Sequence, residues 1–120
     1  MRPPTLKSAK KRAWKAFSHW ICKRDKACVT CGSTKDPQGG HFHHNVLDFD
    51  EININRQCSY CNNYLSGRLN IYAEYLLHRY GAREFSLLSQ RRYQALKGEK
   101  LSIEELLALE KKYLQTPPLI

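Results

Sequence analysis

From Leu6 onward the apolar residues fall at Leu6, Ala9, Ala13, Trp14, Phe17, Trp20 and Ile21, three and four positions apart. That spacing puts them on one face of a helix of about five turns. Lys7, Lys10, Lys11, Lys15 and Arg24 lie mostly off that stripe. The expected helix has one face for a core and one for an anionic partner. By their periodicity Trp14, Phe17 and Trp20 are expected to anchor the core.

The pattern changes after residue 26. Gly and Pro become frequent, and two short strands are expected near 39–44 and 52–57, joined by an acidic turn with Asp48, Asp50 and Glu51. Ile52 and Ile54 alternate with Asn53 and Asn55, as in a half-buried strand. Helical spacing returns from Asn62, through Leu65, Leu69, Tyr72, Leu76 and Tyr80, with Gly81 as the stop. A further helix is expected at about 83–96. Ser102-Ile103-Glu104-Glu105 reads as a capping box, Leu106, Leu107, Leu109 and Tyr113 give that last helix its apolar face, and Pro117 ends it. The fold class expected is α+β, mostly helical. A chain of 120 residues suits one domain, divided into a basic helix (1–26), a cysteine-framed core (27–70) and C-terminal helices (71–120).

Charge sharpens this picture. The net charge is +9, and nine of the twenty Lys and Arg fall in residues 1–26 with a single acid, Asp25. A positive field concentrated in one segment points to a polyanion, either nucleic acid or a membrane surface. No apolar run approaches the eighteen or so residues of a membrane span, and the N-terminus lacks the pattern of a secretory signal. The expected compartment is therefore the cytosol, where cysteines serve as thiols or metal ligands more than as disulfides.

Cys28-Val29-Thr30-Cys31 and Cys58-Ser59-Tyr60-Cys61 are two CxxC knuckles. A doubled CxxC can place four thiolates around one tetrahedral zinc. The fifth cysteine, Cys22, lies near the apolar stripe and reads as a buried thiol. Between the knuckles stand 26 residues, more than a zinc ribbon needs, including Gly40-His41-Phe42-His43-His44. On a strand His41 and His43 would share one face and His44 the other. Asn62 directly follows the last cysteine, at an expected helix N-terminus. Histidines and an asparagine held at a metal-fixed corner could bind a second divalent metal and leave an imidazole free as a general base.

Cys28-Val29-Thr30-Cys31-Gly32, Gly40-His41, Asn53 and Cys58-Ser59-Tyr60-Cys61-Asn62, in that order, resemble an HNH (ββα-metal) nuclease with a zinc frame. Across residues 17–90 the chain is most similar to the lambdoid phage NinG/Rap recombination family, through Lys23-Arg24-Asp25, Gln57-Cys58, Ser66-Gly67, Tyr72 and Arg79. It is more loosely similar to Holliday-junction resolvases of the endonuclease VII type. The resemblance implies a phage or prophage DNA endonuclease in the bacterial host's cytoplasm, cutting branched recombination intermediates. It implies His41 as general base, Asn62 as ligand of a catalytic Mg²⁺ or Mn²⁺, and Asn53 as the residue that orients the base or braces the hairpin. A resolvase-like alignment instead makes His43 the metal ligand and His44 the base. Arg68 stands where NinG-like chains carry Asn, and either substitutes as a phosphate clamp or leaves the site weaker.

The residues expected on DNA are Lys7, Lys10, Lys11, Lys15, Arg24 and Arg68. Symmetric cutting of a four-way junction needs two active sites, so a homodimer is expected on mechanism. The rival function is a zinc-framed module that binds branched DNA without cutting it. The histidine cluster weighs against that reading, since phosphate binding calls for Lys and Arg. An adaptor for a protein partner would use the late leucines, which their spacing assigns to core. Membrane binding is not expected, since it would leave the cysteine frame without a role.

Overall fold

In the computed structural model, residues 2–98 and 100–118 are described. Helix α1 runs Leu6–Arg24, strand β1 Pro37–His41 and strand β2 Ile54–Cys58. A π-helical turn follows at Tyr60–Tyr64, then helix α2 at Leu69–Ala95 and helix α3 at Ile103–Gln115. The architecture is a mixed one, mostly helix with one two-stranded sheet.

The α1 stripe folds as its spacing predicts, with Ala9, Ala13, Ala16, Phe17 and Ile21 buried. Its partner is α3, which contributes Leu106 and Tyr113, with Phe49 inserted between them. The alanines let the two helices approach closely, and Phe17 meets Tyr113 edge to face at 4.7 Å. Trp14 and Trp20 depart from the sequence expectation. Both are only partly buried. The Trp20 indole donates to the Thr116 carbonyl at 2.8 Å. Trp14 takes a place at the site described below. The capping box of α3 is present, with Ser102 and Glu105 each bonded to the other's backbone N–H.

Strands β1 and β2 pair antiparallel, Gly40 opposite Asn55 and His41 opposite Ile54. β1 begins two residues and ends three residues before its expected positions, and β2 begins two and ends one residue after, because β1 stops at His41. Asn53 is the reason. It is fully buried, and its side chain accepts from the His43 N–H and donates to the carbonyls of His43, Val46 and Leu47. Those bonds satisfy the backbone of a curled loop that would otherwise have to continue the ladder. The histidine alternation expected for an extended strand therefore does not form.

Gly81 interrupts α2 with φ 87° and ψ 166°, where glycine is favoured and the expected stop lies. The two pieces fold against each other through Tyr72, Leu76 and Leu88. Arg91 on the second piece reaches back to Asp50 at 2.7 Å.

The C-terminus of α1 is tied to the sheet and to α2 through Asp25, which is 6% exposed. Its carboxylate takes two bonds from Arg24, one from Arg79 at 2.8 Å and one from the Arg56 N–H. Burial alone would raise the Asp25 carboxyl, but the bonds from Arg24, Arg56 and Arg79 outweigh it and hold the carboxyl below its ordinary value. Asp25→Ala is expected to cost about 3–5 kcal/mol, since it strands buried Arg24 without its counter-charge. The native contribution is present above the ordinary carboxylate range and is lost as pH falls through the lowered folded value. Urea unfolding of both chains at pH 7 and at acid pH checks this: the stability gap should narrow in acid.

Candidate functional site

Two chemical centres lie side by side. The first is the cysteine frame. The Sγ atoms of Cys28, Cys31, Cys58 and Cys61 all lie within 4.8 Å of one another. Those of Cys31 and Cys58 are 3.6 Å apart. Four thiolates at about 2.3 Å from a zinc ion would be about 3.8 Å from each other, so the quartet has the size of a tetrahedral metal site. Cys28, Cys58 and Cys61 are buried and Cys31 is exposed.

The thiols perturb one another strongly. Burial raises Cys28, but hydrogen bonds from Thr30 and the Cys58 backbone overcome it and bring it to about 6. At Cys31 the Ser33 backbone lowers the value, yet burial and the three neighbouring sulphurs push it to about 12. Four thiols this close cannot all ionise without a cation among them. The donor set fits a soft divalent metal such as zinc.

The second centre is an open cleft of about 410 Å³ lined by Lys10, His41, His44, Asn45, Asp48 and Asn62. His41 ends β1, and its Nε2 lies 2.9 Å from Asp48 Oδ1. Trp14 of α1 stacks on the other side of that imidazole, 5.2 Å between centroids and 21° between planes. The ring is thus fixed by a carboxylate at its tip and an indole on its face. The hydrogen bond from His41, set against partial burial and helped by Lys10, holds the Asp48 carboxyl below its usual range. Lys10 Nζ lies 3.8 Å from the second Asp48 oxygen.

His44 enters from the loop that Asn53 braces. Behind it the chain runs through three successive left-handed residues, Ser66, Gly67 and Arg68, with φ 51°, 89° and 47°. A Cβ on Gly67 would stand 3.2 Å from His44 Nε2 and press on the ring, and the φ of +89° there favours glycine. Asn62, in the π-helical turn, donates from its amide nitrogen to Gln38 at 2.8 Å. Its amide is thereby oriented at the cleft wall.

One buried side chain joins the two centres. Gln57 is fully buried and donates to Thr30 Oγ1 at 3.2 Å and to the Gly67 carbonyl at 2.8 Å. Thr30 Oγ1 in turn lies 3.3 Å from Cys28 Sγ. Gly40 makes room for this amide, since a Cβ there would stand 2.1 Å from Gln57 Oε1. The cysteine frame and the backbone behind His44 are consequently one hydrogen-bonded unit.

The cleft brings together His41, His44, Asn62 and Lys10, and leaves out several residues that the sequence assigned to the site. His43 does not share a face with His41. Its ring packs edge-on against Phe42 at 4.7 Å, and its Nε2 is sealed without a hydrogen-bond partner. Burial, ahead of the charge of Arg92, lowers its pKa. Asn53 lies beneath the cleft, holding the loop. Asn62 stands in a π-helical turn and not at an α-helix N-terminus.

Arg24 is corrected from a DNA-facing position to an interior one. Its side chain is 9% exposed, and it donates to Asp25, Asn55 and the carbonyls of Glu51 and Ile54. All three nitrogens of that guanidinium already donate within the chain. Lys7, Lys10, Lys11 and Lys15 are exposed on α1, and Arg68 is half-buried. Asp48, Trp14 and Gln57 are site residues that the sequence reading missed. A carboxylate seven residues after a histidine was the visible signal for the first.

Among the described residues only the four thiols close up as a compact set of atoms that could hold a metal. The cleft offers an imidazole, an amide oxygen and a carboxylate around open space. That set suits a hard divalent ion that shares its coordination with a phosphate. No helix among the described residues is long and apolar enough to cross a membrane.

Comparison with known proteins gives the ancestry. The family described as "Bacteriophage Lambda NinG protein" matches residues 4–117. "Protein ninG" of Escherichia phage 933W is 31% identical over 113 residues, covering 88% of this chain and 54% of that protein. "Protein ninG" of Escherichia phage lambda is 30% identical over 113 residues, 88% of this chain and 53% of its own length. That of Salmonella phage P22 is 37% identical over 79 residues, 59% of this chain and 39% of its own. The chain thus spans about half the length of the 933W and lambda relatives or less in the P22 case. No solved structure matches. With a family match running from residue 4 to residue 117, through both knuckles and the cleft, this chain belongs to the bacteriophage NinG family.

Proposed function

We propose that this chain is a metal-dependent DNA endonuclease of the HNH kind that cuts branched recombination intermediates in the bacterial host's cytoplasm. The observation that carries the reading is the cleft, where an imidazole oriented by a carboxylate faces metal-binding donors beside a lysine-bearing helix.

His41 is the general base. It takes a proton from water, the hydroxide attacks the phosphorus, and the bond to the 3′ oxygen breaks. Asp48 holds the ring and stabilises its protonated form, and Trp14 fixes its plane. His44 and Asn62 would hold Mg²⁺ or Mn²⁺, which supplies positive charge to the phosphate as negative charge builds. Asn53 and Gln57 are positioning residues that act through the loop and through Gly67. The zinc frame holds the corner on which all of these stand.

Lys7, Lys10, Lys11, Lys15 and Arg68 bind phosphates. Replacing the four lysines by alanine should weaken DNA binding regardless of sequence and flatten its salt dependence by about 3–4 units of log–log slope. Titrations from low to high salt check this, and an unchanged slope would remove α1 from the interface. Cutting both strands of a four-way junction calls for two sites, so a homodimer on DNA belongs to the proposal.

The test is incubation of the chain with end-labelled four-way junction, flap and linear duplex in Mg²⁺ or Mn²⁺. Incision near the branch is expected. Tight binding with no incision in either metal would favour the second reading, a non-catalytic protein specific for branched DNA.

A further inference from the structure

We propose that Lys10 is a catalytic residue, the ammonium group that meets the phosphate under attack, and that it is set apart from the lysines that track the DNA backbone. This rests on the reading of the cleft as a nuclease site. Among the described residues that line the cleft, Lys10 alone carries a fixed positive charge. It shares that space with His41, His44 and Asn62. A phosphate held between the base and the metal-binding donors therefore meets this amine first.

The register of α1 separates Lys10 from its neighbours. Lys10 and Trp14 are four residues apart and stand one above the other on the same face. Trp14 stacks on the His41 ring, and the same face carries Lys10 to the cleft. Lys7, Lys11 and Lys15 form a second row at the same spacing, and none of them lines the cleft. Ala9 and Ala13, which flank Lys10 along α1, are fully buried with Leu106 of α3. The backbone that bears Lys10 is thus anchored in the core, while the Lys10 side chain is 63% exposed.

Lys10 is already lodged beside the reacting pair. Its Nζ lies 3.8 Å from Asp48 Oδ2, and Asp48 Oδ1 holds His41 Nε2 at 2.9 Å. An exposed ion pair at that distance is worth little, so a phosphate oxygen can draw the amine across with no movement of the backbone. The phosphodiester carries one negative charge and gains a second as the hydroxide adds. An ammonium at its oxygens is therefore bound more strongly in the transition state than before it, which raises the rate of the step. Asp48 keeps its bond to His41 throughout.

The test is single-turnover incision of labelled branched DNA at saturating protein in Mg²⁺ or Mn²⁺, with dissociation constants measured in parallel without either metal. It compares the natural chain, Lys10→Gln, Lys10→Arg, Asp48→Asn and the double variant Lys10→Gln/Asp48→Asn, each with its zinc content and circular dichroism checked. At saturation Lys10→Gln should cut on the order of 10–100-fold more slowly, less than the loss of about 10²–10³-fold for an enclosed oxyanion donor, because this cleft is open. Its affinity should fall no further than that of Lys11→Gln, the loss of a single phosphate contact. Lys10→Arg, which keeps the charge, should recover most of the rate. The Lys10→Gln loss should persist in the Asp48→Asn background. If Lys10→Gln is weaker in affinity but cuts at the natural rate once saturated, Lys10 belongs with the tracking lysines and the proposal is refuted while the nuclease reading stands. A loss that disappears in the Asp48→Asn background would also overturn it, since Lys10 would then act only through Asp48. If the natural chain cuts no DNA in either metal, the nuclease reading falls and the role of Lys10 falls with it.

Discussion

Stripping the metal from the four-cysteine site is expected to unfold the centre of this protein. The thiol cluster of Cys28, Cys58 and Cys61 is a buried centre of its own, apart from the aromatic core between α1 and α3. The sheet beside it has two strands of five residues, too little to be stable alone. Structural zinc contributes about 10–16 kcal/mol in small zinc domains, as much as the whole net stability of an ordinary domain, about 5–15 kcal/mol. Cys58→Ser should act in the same way as a chelator, since it removes one ligand and leaves three crowded thiols. Dialysis against EDTA, followed by circular dichroism and thermal melting, measures the effect. A metal-free chain with an unchanged melting temperature would show that the frame is held by packing alone.

His41→Ala is expected to lower the incision rate by about 10²–10⁴-fold, the usual contribution of a positioned general base. The loss should fall on kcat, because the imidazole meets water and carries no phosphate contact of its own. Binding should be preserved, since Lys7, Lys11 and Lys15 lie elsewhere on α1. Folding should survive as well. The ring is partly exposed, 24% at the side chain, and the core lies behind Trp14. Titration of the variant with junction DNA, alongside its zinc content, checks both conditions. Asp48→Asn should give a smaller fall in kcat with little change in KM, as befits a residue that acts through His41.

Much of this arrangement is readable from the chain because local chemistry dictates it. The α1 stripe, the Ser102 capping box and the Gly81 stop each follow from residues within a turn of one another. The two CxxC knuckles point to a four-cysteine frame that could hold a metal, because each pair can bite from a single turn. The histidines could not be sorted in the same way. Alternation along a strand put His41 with His43, but the buried amide of Asn53 curls the chain after His41. His44, not His43, therefore faces the cleft. That outcome depends on side-chain bonds to loop carbonyls, which no periodicity records.

The remaining differences have the same cause. Arg24 follows the helical pattern of the lysines, yet Asp25, Asn55 and two carbonyls draw it inward. Trp14 carries the period of a core residue, but it sits at the edge of the buried face, where His41 offers a ring to stack on. Asp48 stood out only as one acid of a turn. Its meeting with His41 requires the loop's closure, which pairs positions seven apart without any regular element.

The most direct measurement is the incision of one labelled branched DNA by the natural chain and by His41→Ala, in parallel, at equal bound fraction in Mg²⁺ and in Mn²⁺. The account predicts cutting near the branch by the natural chain and a loss of at least about a hundredfold in the variant. Equal cutting by the two chains would contradict the assignment of the base, and binding without cutting by the natural chain in both metals would contradict the claim that this protein is a nuclease.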